Sequence, residues 1–193
     1  MIKIKNWWKL FRINTMQLLS LILLMAVFAA MAVRDFRLRA IEGYYYLLLA
    51  VAVIFYAVLR APAGILVSNL LINGLLLLLL IAGLWGYFKA RSGISLQALF
   101  ATRLGMGDLL FWVLITPLFA PFNFIPWMIG SLLVILVVYG VAQVAGARQP
   151  VPATIPLAGM QAILLGFLLL LNQFLLHYNF FEEPVLLSVV YHY

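Results

Sequence analysis

"TMQLLSLILLMAVFAAMAV", residues 15–33, decides the class of this protein. It carries no charge, and "RDFRLR" (34–39) follows at once. An uncharged apolar run of about 20 residues is the length of a bilayer-crossing helix. The rest of the chain repeats the pattern. Further apolar runs lie at about 44–59, 65–88, 104–119, 124–144 and 155–178. The breaks between them carry proline, glycine or charge: Arg60-Ala-Pro-Ala-Gly, Lys89-Ala-Arg-Ser-Gly, Ala120-Pro-Phe-Asn and Gly146-Ala-Arg-Gln-Pro-Val-Pro. Proline removes a helical donor and glycine adds backbone freedom, so both punctuate helices. The expected fold is all-α: one polytopic membrane domain over 1–193 with about six transmembrane helices.

Composition agrees. The chain has 193 residues, of which 67% are hydrophobic and 9% charged. Its mean hydropathy is +1.17. A soluble domain carries about 25% charged residues, so this chain lacks the polar residues to cover a water-facing surface. Its net charge of +7 suits loops at anionic headgroups. Without a soluble basic face, no nucleic-acid partner is expected. Cysteine is absent, which excludes disulfides, thiolate metal sites and a cysteine nucleophile. His177 and His192 belong to no metal-binding motif. No metal and no cofactor are expected, and membrane lipid is an expected partner.

The N-terminal 1–14 segment is basic, with Lys3, Lys5, Lys9 and Arg12, and holds Trp7, Trp8, Leu10 and Phe11. It reads as an interfacial helix. The run behind it is longer than the core of a cleavable signal peptide, so it is expected to be retained as a span. Tyr44, Tyr45, Tyr46 and Trp127 are also expected at interfaces. With six spans, the first, third and fifth loops carry seven basic residues: Arg34, Arg37, Arg39, Lys89, Arg91, Arg103 and Arg148. The other side carries five: Lys3, Lys5, Lys9, Arg12 and Arg60. The positive-inside rule puts the first set in the cytoplasm, although the basic N-terminus opposes it.

Asp35 and Asp108 are the only aspartates. Asp35 closes the first span. Asp108 lies about one turn, or roughly 6 Å, inside the fourth. The span count puts both on the same membrane face. A carboxylate at a span centre costs about 2.5–3.5 kcal/mol and less near the interface, and intramembrane acids usually mark function. Peptide hydrolysis needs a base toward water and an acid toward the departing amine. Two adjacent carboxyls sharing one proton supply both. Gly105 and Gly107 would let backbone approach Asp108 and leave room for an extended substrate strand. The alternative is that each aspartate makes a local ion pair, Asp35 with Arg34 or Arg39 and Asp108 with Arg103. Asn69 and Asn73, four apart on one helix face, either line a cavity or join helices; Asn172 and Gln173 pose the same choice. Thr116-Pro117 is expected to kink its span. Glu42 is expected to attract a basic leader, to pair with a neighbour such as Arg39 or to stay at the headgroup level.

At these residues the chain resembles the type IV prepilin peptidase and archaeal preflagellin peptidase family, intramembrane GxGD aspartyl proteases with about six core spans. "AVRDFRLRAIEGYYYLLL" looks like the family's aspartate at a span end followed by basic residues and an isoleucine. "GMGDLLFWVL" matches the GxGD that opens a later span, and "TIPLAGMQAIL" looks like its proline-containing lead-in to the last span. The resemblance implies catalytic Asp35 and Asp108, with Gly105, Met106 and Gly107 as the supporting motif. It further implies a multi-pass protein of the cell (inner) membrane, its active site facing the cytoplasm. Its substrates would be pilin-like precursors, cleaved at their short basic leader. Two positions depart from the family: Leu110 stands where many bacterial members have lysine, and Glu42 where many have proline. The cysteine-bearing domain of the large bacterial members is not seen. The Tyr-Asp and Pro-Ala-Leu motifs of presenilin-like proteases do not occur. A proton-coupled transporter subunit using the same two acids, or an inactive scaffold of a pilus or secretion machine, are the competing readings.

Overall fold

The computed structural model describes residues 15–102, 105–144 and 156–182. The expected interfacial helix at 1–14, the Arg103 side of an Asp108 ion pair, Arg148 and His192 lie outside them. Among the described residues every regular element is helical. In chain order they are α1 (Thr15–Leu38), α2 (Gly43–Val58), α3 (Ala63–Ser92), α4 (Leu96–Thr102), α5 (Met106–Ile115), α6 (Pro121–Val144) and α7 (Leu157–Leu171). A 3-10 turn, Thr116–Leu118, extends α5, and a π turn, Asn172–Leu176, extends α7. Thr15–Leu38, Ala63–Ser92, Pro121–Val141 and Leu157–Leu176 are long and apolar enough to cross a membrane. Gly43–Val58 and Met106–Leu118 are shorter apolar helices, about 24 and 20 Å long against a hydrocarbon core of about 30 Å. The short α4 was not anticipated.

Helix ends differ from the sequence reading where local chemistry permits continuation. α1 runs on to Leu38, so Arg34 and Asp35 are helical. It stops at Arg39, whose φ of 53° is left-handed and whose amide still donates to the Asp35 carbonyl at 3.0 Å. α3 continues through Lys89 and Arg91 and ends at Gly93, φ 64°. At 30 residues it measures about 45 Å, which carries that end out to the headgroups. There Lys89 Nζ lies 4.7 Å from the Trp85 ring centroid, and Arg91 donates to the Tyr87 hydroxyl at 2.6 Å.

The core lies where α1, α2, α5 and α7 meet. On α1 the buried positions are Ser20, Leu21, Leu24, Val27, Phe28, Met31, Ala32 and Asp35, a stripe with helical spacing. It packs most extensively on α7, whose inward face includes Ala158, Gly159, Ala162 and Gly166. Small residues at these spacings let two helix backbones approach closely. The outward residues are equally apolar: Ile22, Leu47, Leu71, Leu78, Val137 and Phe167 are all more than half exposed. In hydrocarbon these need no cover.

Pro117 lacks the amide that would bond the Val113 carbonyl, and the helix tightens there into the 3-10 turn. Thr116 Oγ1 donates to Val113 O at 2.7 Å instead. Asn73 completes the repair from α3, donating to Thr116 O at 3.0 Å and Phe119 O at 2.7 Å. Asn69 donates to Phe181 O at 3.1 Å. Asn73 therefore joins α3 to the 3-10 turn at Thr116-Pro117, and Asn69 joins α3 to the turn at Phe181. Asn73→Ala leaves the Phe119 carbonyl without its donor, while the Thr116 carbonyl keeps the Phe119 amide at 3.4 Å. It should lower stability by about 1–2 kcal/mol, read as a fall in the unfolding temperature of the detergent-purified protein.

Candidate active site

Asp35 reaches the site from the last turn of α1, and Asp108 from the first turn of α5. α5 begins at Met106, so Asp108 is nearer its helix end than the sequence reading placed it. Both acids converge on one feature, the N-terminus of α7. A helix N-terminus leaves its first amides without intrahelical partners and carries partial positive charge. Pro156, which precedes α7, provides no side-chain cap. The Ala158 amide donates to Asp108 Oδ1 at 2.9 Å, and the next amide, Gly159, donates to Asp35 Oδ2 at 2.7 Å. Two carboxyls from different helices are thus tied to consecutive backbone donors. Charge-assisted bonds of this kind contribute about 1.5–3 kcal/mol each.

Three glycines make the convergence sterically feasible. A Cβ on Gly159 would lie 2.9 Å from Asp35 Cβ, 3.0 Å from its Oδ2 and 3.3 Å from Ala32 Cα. A Cβ on Gly105 would lie 2.7 Å from Asp108 Oδ2. A Cβ on Gly107 would collide with the Tyr46 hydroxyl. Gly105 thus makes room for the Asp108 carboxyl, whereas Gly107, expected to serve Asp108 as well, makes room for the Tyr46 hydroxyl. Met106 is 55% exposed and acts only as the residue between them.

Tyr46 faces inward, unlike the exposed Tyr44. It is buried on α2 and close enough to both aspartates to interact with them electrostatically. Nothing in "GYYYLLL" separates it from Tyr44 and Tyr45; only the rotation of α2 against α5 turns it inward. If the hydroxyl is what Gly107 must avoid, Gly107→Ala should cost about 1–3 kcal/mol. In a Tyr46→Phe background the same change should cost under about 1 kcal/mol. Denaturation of the four proteins in one detergent checks this as a double-mutant cycle.

Further along α5 and α7, Trp112 Nε1 donates to Gln161 Oε1 at 2.5 Å, and Gln161 Nε2 donates to Ser131 Oγ at 3.3 Å. All three side chains are buried. Trp112 is four residues after Asp108 and Gln161 two after Gly159, so this chain braces α5, α7 and α6 beside the dyad. Sequence reasoning missed it.

Glu42 pairs with the neighbouring Arg34 at 2.5 Å. That contact ties the end of α1 to the start of α2. Leu110 is 43% exposed and stands about 200° around the helix from Asp108. Among the described residues no cluster of three His, Cys, Asp or Glu side chains is placed to hold a metal. Comparisons with protein-family models, with curated proteins and with solved structures found no match.

Proposed function

We propose that this chain is an intramembrane aspartyl endopeptidase of the prepilin and preflagellin peptidase type. It would cut the short basic leader from pilin-like precursors at the cytoplasmic face of the cell membrane. The observation that carries the reading is the attachment of Asp35 and Asp108 to the consecutive amides of Ala158 and Gly159. Together with the GxGD motif, that arrangement supplies two carboxyls from separate helices at one point near a span end.

In this reading one carboxyl takes a proton from the attacking water and the other gives a proton to the departing amine nitrogen. The roles belong to the pair, since coupled acids titrate together. The scissile bond must be extended, because a helical peptide bond is hidden from water. The α7 amides orient the carboxyls and keep them from rotating away. The competing transporter reading rests on the same span-end acids and on polar residues in the spans such as Asn69, Asn73 and Asn172; the NH2 groups of Asn69 and Asn73 are donated to backbone carbonyls. Co-expression with a pilin-like precursor, followed by detection of the shortened product, tests the proposal. A precursor left intact by the wild-type chain in active-lipid membranes counts against it.

A further inference from the structure

The opposite end of the molecule holds a second polar site. Gln17 and Asp35 are both on α1, 18 residues or about 27 Å apart. Around Gln17 lies a cavity of about 280 Å³, also lined by Arg60, Asn172, Gln173, His177 and Asn179. That is room for about nine waters at their liquid volume. No carboxylate is among its lining residues.

Arg60 sits in the link between α2 and α3, half-buried. It donates to Ser20 Oγ at 3.0 Å, Tyr56 O at 3.1 Å and Gln17 O at 2.9 Å. Its guanidinium carbon lies 3.7 Å from the Tyr56 ring centroid, and Tyr56 in turn stacks on Phe181. These partners fix the side chain, yet every one is neutral. Among the described residues three of its five N–H groups are spent and two remain. Burial also pulls this guanidinium below the usual arginine value. A partly desolvated cation with no counter-charge among the described lining residues is costly. Here it is held rigid beside a cavity offering the amide groups of Gln173 and Asn179.

We propose that this cavity binds a phosphate-bearing anion, a phospholipid headgroup or inorganic phosphate, with Arg60 as its charge partner. A guanidinium's remaining N–H groups suit phosphate oxygens. Phe180, half-buried among the lining residues, offers apolar surface to an attached acyl chain. The site is independent of the dyad and of any cleavage activity.

The test uses the purified full chain in detergent. One arm adds phosphatidylglycerol and counts the lipid retained per chain by native mass spectrometry, with phosphatidylcholine for comparison. The other follows the unfolding temperature against inorganic phosphate, with chloride at equal ionic strength. We expect one retained phosphatidylglycerol if the source is lipid, or a phosphate-specific rise in unfolding temperature if it is soluble phosphate. Arg60→Gln should weaken either response by about tenfold or more. Because Arg60 also joins three residues, Gln173→Glu serves as the second variant. It leaves Arg60 in place and puts a carboxylate beside the ligand, and the same loss is expected. Binding unchanged in Gln173→Glu, or no response in either arm, overturns the proposal.

Discussion

Asp35→Asn and Asp108→Asn should each lower precursor cleavage by three orders of magnitude or so, without unfolding the protein. An asparagine is nearly isosteric with aspartate, and its carbonyl oxygen still accepts from the amide of Gly159 or Ala158. The anchoring contact therefore survives while the proton-transfer function is lost. Positioned general acid–base groups contribute about 10²–10⁴-fold. The double variant should be little worse than either single one, because residues acting as a unit are not additive. Cleavage is read by product mass after co-expression, and integrity by size exclusion and unfolding temperature. Cleavage at wild-type rate by either single variant would remove the dyad from the mechanism. Transport into proteoliposomes that depends on the same two acids would move the assignment to the competing class.

Gly159→Ala should cost activity by about 100-fold, although the added methyl group touches no substrate. Its Cβ would lie under 3.0 Å from Asp35 Cβ and 3.3 Å from Ala32 Cα. The second of these is backbone and cannot swing aside. α1 and α7 must separate, or the Asp35 carboxyl must turn from the Gly159 amide. A displacement near 1 Å in a catalytic group costs about 10²-fold. Gly166→Ala is the control on the same helix seam. There the new Cβ meets the Met25 sulfur at 3.3 Å, the flexible part of an adaptable side chain. It should keep cleavage within about threefold of wild type, judged by the usual tolerance of such sites. Equal losses in the two variants would mean that seam packing, not the Asp35 carboxyl, governs activity.

The spans were legible because their cause is one-dimensional. A bilayer demands about 20 apolar residues in succession, and residues 15–33 display this without any partner. The candidate acids were legible for a related reason. In a chain with two aspartates, both at span ends, their cost makes them visible, and the span count predicts that they share a side. Glycine beside Asp108 also announced a close approach.

What tertiary structure alone decided is which side of each helix faces inward. In lipid the outer face is as apolar as the core, so Leu21, buried, and Ile22, exposed, look alike in the sequence. The rotation of α2 turns Tyr46 inward toward the two aspartates. The approach of α7 makes Ala158 and Gly159 the donors that hold both acids, and the turn from α1 into α2 pairs Glu42 with Arg34. Asn73 becomes the repair for a proline 44 residues away. Each of these depends on interhelical packing between small residues and on backbone groups freed at helix ends. Such contacts are set by three-dimensional fit and leave no periodic mark on the chain.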